Sequence, residues 1–207
     1  VNDLADPRAL ADLLEFDTSY GHWGKKVEAK DGGLVIDGER VPLTQVRSPA
    51  ELGWGERGDE VVVAEATGRF TSREAAAGHL RAGAKRVIIS APGDDTDGSY
   101  VLGVNHDDYD PEKHKVIDTT SCTSNALFPA VAVLDQLGVV RKLAFDTIHA
   151  YTADQSLVDG PHKDLRRVRA AAISVIPTST GAAKVARKIF PYMEASMGMA
   201  HRVPVLV

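Results

Sequence analysis

The chain has 207 residues, 43% hydrophobic and 26% charged, with a formal net charge of −5. That balance excludes a disordered tail, which would hold too little apolar material to bury a core, and no apolar run reaches the ~18 residues of a membrane helix. A single cysteine, Cys122, excludes an internal disulfide framework and fits a reducing compartment such as the cytosol.

Val1-Asn2-Asp3-Leu4 lacks the basic start and long apolar stretch of a secretion signal. The last residues, Arg202 to Val207, stop inside an apolar run, so the chain is expected to be the middle of a longer one. Asp6-Pro7 predicts a helix start, with Leu10, Leu13 and Leu14 as its apolar face. Val27 to Val41 predicts a small hairpin turning at Asp37-Gly38. Gln45-Val46-Arg47 reads as a short strand, and Ser48-Pro49-Ala50-Glu51 has capping-box spacing. Val61 to Ala64 is a continuous apolar run, the pattern of a strand buried on both faces. A second capping box, Thr71 to Glu74, opens an alanine-rich helix that ends at Gly83, and Arg86 to Ser90 follows as a strand. Strand, capped helix and strand in that order predict a parallel crossover.

Further strands are expected at Tyr100–Val104 and Lys115–Ile117, then a helix from Thr123 to Leu137 closed by Gly138. Val139 to His149 predicts a long, half-buried strand; Asp154–Thr178 reads as mostly irregular, Thr180–Ile189 as a helix and Met199–Val205 as a strand. Parallel alternation gives way to long strands near Ser121, the expected domain boundary. The charge is uneven as well: residues 1–137 carry 14 Lys+Arg against 24 Asp+Glu, and residues 138–207 carry 10 against 5. The acidic first part argues against a general nucleic-acid binder. The basic second part suits a small anion, or is simply solvated charge.

Cys122 starts a helix in Ser121-Cys122-Thr123-Ser124-Asn125, where free N–H groups and the positive dipole end favour a thiolate. A lone cysteine is also commonly a small buried hydrophobe, and only the polar neighbours weigh against that. His149 ends the long strand, either as a base beside the thiol or as a satisfied strand-end histidine. Pro161 to Arg169 is the densest basic cluster, and Thr178-Ser179-Thr180-Gly181 leads into a helix as an N-cap or an anion cradle. The seven histidines show no metal-ligand spacing, and Gly93 to Gly98 lacks the first and twelfth ligands of a calcium loop.

Together these segments resemble the phosphorylating glyceraldehyde-3-phosphate dehydrogenases. The carrying motifs are Asn2-Asp3-Leu4, Ala66 to Phe70, Ile89 to Pro92, Ser121 to Asn125, Ile148 to Thr152, Pro161 to Arg169, Ile176 to Lys184 and Arg202-Val203-Pro204. The resemblance implies an α/β fold: a Rossmann-type, parallel-sheet NAD domain over 1–121, incomplete at its start, then the first part of an α+β catalytic domain over 122–207, incomplete at its end. It implies Cys122 as nucleophile and His149 as base. It further implies Asp3, Arg47, Thr67, Gly68 and Ser90 at the cofactor, with NAD preferred because the Asp3 carboxylate repels a 2′-phosphate. The phosphate set implied is Ser121, Thr123, Thr152, Arg167, Thr180, Gly181 and Arg202. Glyceraldehyde 3-phosphate, inorganic phosphate, a homotetramer and a cytoplasmic setting follow from the same resemblance, with no metal, membrane or nucleic-acid partner. Asp118-Thr119-Thr120 departs from the Ser-Asn-Ala usual before the nucleophile, which bears on substrate preference. An erythrose-4-phosphate dehydrogenase and a non-catalytic relative are the competing readings; retention of Thr180-Gly181 and the His162–Arg167 stretch opposes the first, and retention of Cys122 and His149 the second.

Overall fold

The computed structural model describes residues 1–58 and 60–205, so the last two residues of the terminal apolar run, Leu206 and Val207, lie outside the described residues. Two compact units are present: Val1–Val61 with Gly78–Lys85, and Val62–Ala77 with Arg86–Val207.

In the first unit, α1 (Pro7–Glu15) starts as the sequence predicts: the Asp6 carboxylate accepts from the amides of Arg8 (2.9 Å) and Ala9 (3.4 Å), and Pro7 occupies the first turn. Its apolar face is only partly used, since Ala11 is buried and Leu10 half-buried while Leu13 and Leu14 are exposed. A two-residue pairing of β1 (Phe16–Asp17) with β2 (Gly21–His22) follows. The expected hairpin is a three-stranded antiparallel meander, β3 (Val27–Lys30), β4 (Gly33–Ile36) and β5 (Glu39–Pro42). Both of its turns, Asp31-Gly32 and Asp37-Gly38, have positive φ at each central residue, the backbone an Asp-Gly pair supplies for a tight hairpin. Gln45–Arg47 is not a strand. The Asn2 side chain takes over the pairing there, donating to Val46 O (3.0 Å) and accepting from Val46 N (2.9 Å). Ser48 makes no side-chain cap, and Pro49–Glu51 is a single 3-10 turn. Gly83 has φ +97°, and a Cβ there would lie 2.4 Å from Gly55 N, so both conformation and space demand glycine.

The second unit holds two sheets. In the first, β6 (Val62–Glu65), β7 (Arg86–Ile89), β8 (Gly98–Ser99) and β9 (Val116–Asp118) are all parallel, in the order β6-β7-β9-β8. The crossover from β6 to β7 contains α2 (Arg73–Arg81), so the expected strand–helix–strand unit is present and the sheet is of Rossmann type. The α2 cap sits one residue later than predicted: Ser72 Oγ accepts from Ala75 N at 3.2 Å. β6 alternates instead of being buried on both sides, with Val63 and Glu65 inside and Val62 and Ala64 exposed, because it is an edge strand among the described residues. No strand forms at Tyr100–Val104. Asn105 accepts from Val101 N (2.9 Å) and donates to Ser99 O (3.0 Å), closing a turn instead.

α3 (Cys122–Asp135) leaves the end of β9 and contains Pro129. Beyond it come β10 (Lys142–Ala150), β11 (Ile176–Ser179), α4 (Ala182–Ile189) and β12 (Ala195–Val203). β12 runs parallel to β10, in register from Lys142↔Ala195 to Ala150↔Val203, and antiparallel to β11, with Ile176 opposite Arg202. Phe128 and Val131 of α3, Ala186 and Ile189 of α4, and Val101, Phe190 and Met193 form a buried cluster. Among the described residues no helix is long and apolar enough to cross a membrane.

Asp97 ties the parallel sheet to α2. Its carboxylate accepts from Arg73 Nε (2.6 Å) and from the amides of Lys115 and Val116 (2.8 Å each). Burial raises its pKa, but these bonds outweigh burial and hold it below the ordinary 3.8. A carboxyl depressed on folding contributes stability above its unfolded pKa and loses it as pH falls through the lower folded value. Asp97→Ala is expected to cost about 2 kcal/mol in urea unfolding at pH 7, with the deficit shrinking once the pH drops below 3.8.

Candidate active site

The carboxyl ends of parallel strands are where an α/β sheet offers exposed backbone and helix N-termini to a ligand. Here Thr67 and Gly68 follow β6, Ser90 follows β7, and Thr119 to Cys122 follow β9, so these residues lie along one sheet edge. Thr67, Gly68 and Ser90 are exposed. Thr67 donates from its amide (2.8 Å) and its hydroxyl to the buried Glu65 carboxylate, which fixes the turn, and Gly68 completes it at φ +69°. In the first unit Asp3 is exposed and accepts from Ala5 N at 2.8 Å, and Arg47 is exposed.

Cys122 is the first residue of α3 and is exposed. Ser121 caps the helix by accepting from Ser124 N at 3.1 Å, so the side chain that satisfies the first turn stands next to the thiol. Thr123 is buried behind it. The approach to Cys122 is unusual. Thr120 has φ +61°, and a β-branched residue held there stores about 1–3 kcal/mol of strain. Asp118, 1% exposed, accepts from Thr120 N (3.0 Å), Thr96 Oγ1 (2.6 Å) and Ser99 Oγ (2.7 Å). Asn125 reaches back from the first turn of α3 to donate to Thr119 O (2.7 Å) and Ser121 O (2.9 Å).

His149, near the end of β10, places Nε2 3.1 Å from Cys122 Sγ. Its Nδ1 lies 2.7 Å from Ala150 O. A carbonyl only accepts and calls for a proton on Nδ1, whereas the Arg202 guanidinium, 2.9 Å from the same nitrogen, only donates and calls for a lone pair there; Nδ1 thus sits between two opposed contacts, and Nε2 is the nitrogen that faces the thiol. Arg202, opposite His149 in the β10–β12 register, brings Nη1 to 2.9 Å from Nδ1 and 3.4 Å from Ala150 O. Burial lowers the Arg202 pKa, Cys122 opposes that, and the nearby Arg167 cation adds to it; an arginine nevertheless keeps its charge in a protein. The buried Nε of Arg202 has no hydrogen-bond partner. An uncompensated buried N–H beside a second guanidinium is a donor set that wants an anion.

Arg167 is itself covered by carboxylates. It contacts Asp154, and its Nε lies 3.5 Å from Asp164 Oδ2. Thr152 donates from its amide (2.9 Å) and its hydroxyl (3.2 Å) to Gln155 Oε1, and Gln155 donates to Asp154 (3.1 Å). Thr180 and Gly181 stand at the start of α4, where Thr180 Oγ1 accepts from Ala182 N at 3.3 Å. They follow Ser179, the last paired residue of β11, which lies opposite Met199. The structure therefore brings Cys122, His149 and Arg202 together with Arg167 nearby, and links Thr152 to Arg167 through Gln155 and Asp154. Sequence reasoning missed Asp118, Asp154 and Gln155. Each is a polar residue whose partners are distant in the chain or hidden in a loop. Among the described residues no group of three or more His, Cys, Asp or Glu side chains could hold a metal ion.

Residues 121–207 match the family model for the glyceraldehyde 3-phosphate dehydrogenase C-terminal domain, and residues 1–73 match that for the NAD-binding domain of the same enzymes. The chain belongs to the glyceraldehyde-3-phosphate dehydrogenase family. It is 49% identical to a glyceraldehyde-3-phosphate dehydrogenase of Kitasatospora aureofaciens over 208 residues, covering all of this chain and 62% of that protein. It is 50% identical to one from Geobacillus stearothermophilus and 48% identical to glyceraldehyde-3-phosphate dehydrogenase 1 of Bacillus subtilis (strain 168), in each case over 99% of this chain and 61% of the relative. The chain thus spans about three fifths of the length of the curated relatives it matches.

Proposed function

We propose that the protein containing this chain oxidises glyceraldehyde 3-phosphate with NAD and inorganic phosphate to 1,3-bisphosphoglycerate. The observation that carries this reading is the 3.1 Å contact between Cys122 Sγ, at a helix N-terminus, and His149 Nε2, beside a half-buried Arg202 whose buried Nε–H has no partner. Sγ adds to the aldehyde carbon to form a hemithioacetal, and Nε2 takes the hydroxyl proton as the hydride departs. The bound NAD supplies the acceptor for that hydride. The carbon stays on Sγ as a thioester; a phosphate oxygen then attacks it, the C–S bond breaks, and Cys122 is regenerated with release of the acyl phosphate. The Cys122 backbone N–H and the protonated imidazole offer hydrogen bonds to the oxyanions. Arg202, Arg167 and Thr152 hold the substrate phosphate, with Ser121, Thr123, Thr180 and Gly181 assigned to the attacking one.

The exposed donors at the carboxyl edge of the parallel sheet suit a dinucleotide. Thr67, Gly68 and Ser90 are proposed to line the cofactor, and Asp3 and Arg47 are proposed as cofactor contacts on the family resemblance alone, Asp3 favouring a free ribose 2′-hydroxyl. The catalytic part is taken to begin at Cys122, and a cytoplasmic homotetramer is the proposed working form. The test follows NADH absorbance of the full-length protein with glyceraldehyde 3-phosphate and NAD, with and without inorganic phosphate. Phosphate-dependent NADH formation is expected. Activity indifferent to phosphate would move the chain to a hydrolytic reaction and remove the second anion site; NAD binding without turnover would make it a non-catalytic relative.

A further inference from the structure

Only Thr119, Thr120 and Ser121 connect the last residue of β9 to Cys122. The direction in which the chain enters α3, and hence the direction of Sγ, is set by those three residues. The sharp change falls at Thr120, which takes a φ of +61° without being glycine. A backbone state that a β-branched residue avoids persists only where its surroundings over-determine it. Two arms do so. Below, the buried Asp118 carboxylate accepts from the Thr120 amide, and is itself fixed by Thr96 and Ser99. Above, Asn125 donates to the carbonyls of Thr119 and Ser121. Gly93 gives Asp118 its room, since a Cβ there would lie 3.0 Å from Asp118 Cβ and 2.4 Å from Thr96 Cγ2.

We propose that Asp118 and Asn125 are positioning residues that clamp Thr120 in its left-handed conformation and thereby hold Cys122 Sγ against His149 Nε2. The inference rests on the reading of Cys122 as nucleophile. Its core claim is geometric: the clamp matters because Thr120 resists the conformation. Glycine accepts that conformation freely, so Thr120→Gly makes the clamp dispensable.

The experiment is a double-mutant cycle in the full-length protein: Asp118→Ala and Asn125→Ala, each with and without Thr120→Gly. The readouts are kcat and KM for glyceraldehyde 3-phosphate, and the rate of Cys122 alkylation by iodoacetamide at pH 7. With Thr120 present, each alanine variant is expected to lose about tenfold in kcat with KM within about twofold, as misplacement of a reacting atom costs rate more than binding. Alkylation slows in parallel. In the Thr120→Gly background the same substitutions are expected to lose far less, a coupling that a merely structural role for Asp118 does not produce. Equal losses in both backgrounds, or wild-type kcat and alkylation in the alanine variants, would overturn the proposal. Asn125 is exposed, so its variant keeps the cycle readable if Asp118→Ala does not fold; because Asn125 Nδ2 also donates to Thr120 Oγ1 (3.3 Å), Thr120→Ala is run beside Thr120→Gly, and equal coupling in both backgrounds would overturn the proposal for Asn125. If the wild-type protein shows no turnover, the proposed function fails, yet the alkylation cycle still decides the clamp.

Discussion

Cys122→Ser is expected to abolish phosphate-dependent NADH formation in the full-length protein, a loss of roughly four orders of magnitude or more in kcat. A serine hydroxyl keeps the size and the hydrogen bond to His149 but is a far weaker nucleophile at neutral pH, and an ester is a poorer acyl donor to phosphate than a thioester. His149→Asn is expected to fall between these limits. Asparagine can still accept or donate a hydrogen bond toward Sγ, but it cannot take up a proton, and removal of a positioned base costs about 10²–10⁴ in rate. Steady-state kcat for both variants, with NAD binding followed separately, checks this. Near-wild-type turnover in Cys122→Ser would end the thioester mechanism.

Phe128→Ala is the corresponding prediction for stability. Phe128 is completely buried two turns into α3, and its ring meets Phe190 edge-on with centroids 5.6 Å apart. Its neighbours Val131, Ile189 and Met193 come from separate segments and cannot all collapse into the void. Removal of a fully buried phenyl ring leaves a cavity in addition to the lost transfer energy, together about 3–5 kcal/mol. Denaturant unfolding of wild type and variant would show it as a lower midpoint at unchanged slope. A change below about 1 kcal/mol would mean that the packing between α3 and α4 is looser than their contact implies.

The parallel crossover was legible because a continuous apolar run, a capped alanine-rich helix and a second apolar run leave one physical solution. The same apolar run misled on burial. Val61 to Ala64 reads as enclosed, yet Val62 is 49% exposed, because composition does not reveal which strand stands at the edge of a sheet. Local side-chain chemistry defeated two other expectations. Asn2 and Asn105 use their amides to bond backbone that would otherwise have joined a ladder, which replaces strands at Gln45–Arg47 and Tyr100–Val104. At the site, the cysteine and histidine were visible as residues in polar settings, but their contact was not, since 27 residues separate them. The Asp118 clamp could not be read at all. A buried carboxylate at a strand end has no periodic signature, and its only trace was a departure from the family's usual residues before the nucleophile.

The pairing of β10 with β12 places His149 opposite Arg202, and β11 adds Ile176 to the same row. Successive residues of a strand face opposite ways, so a slip of one position would turn Arg202 away from His149 while leaving the sheet itself intact. The site therefore tolerates changes of letter along these strands far better than changes of count. A single codon gained or lost between Ser196 and His201 would disarm the protein without touching any residue assigned to its chemistry.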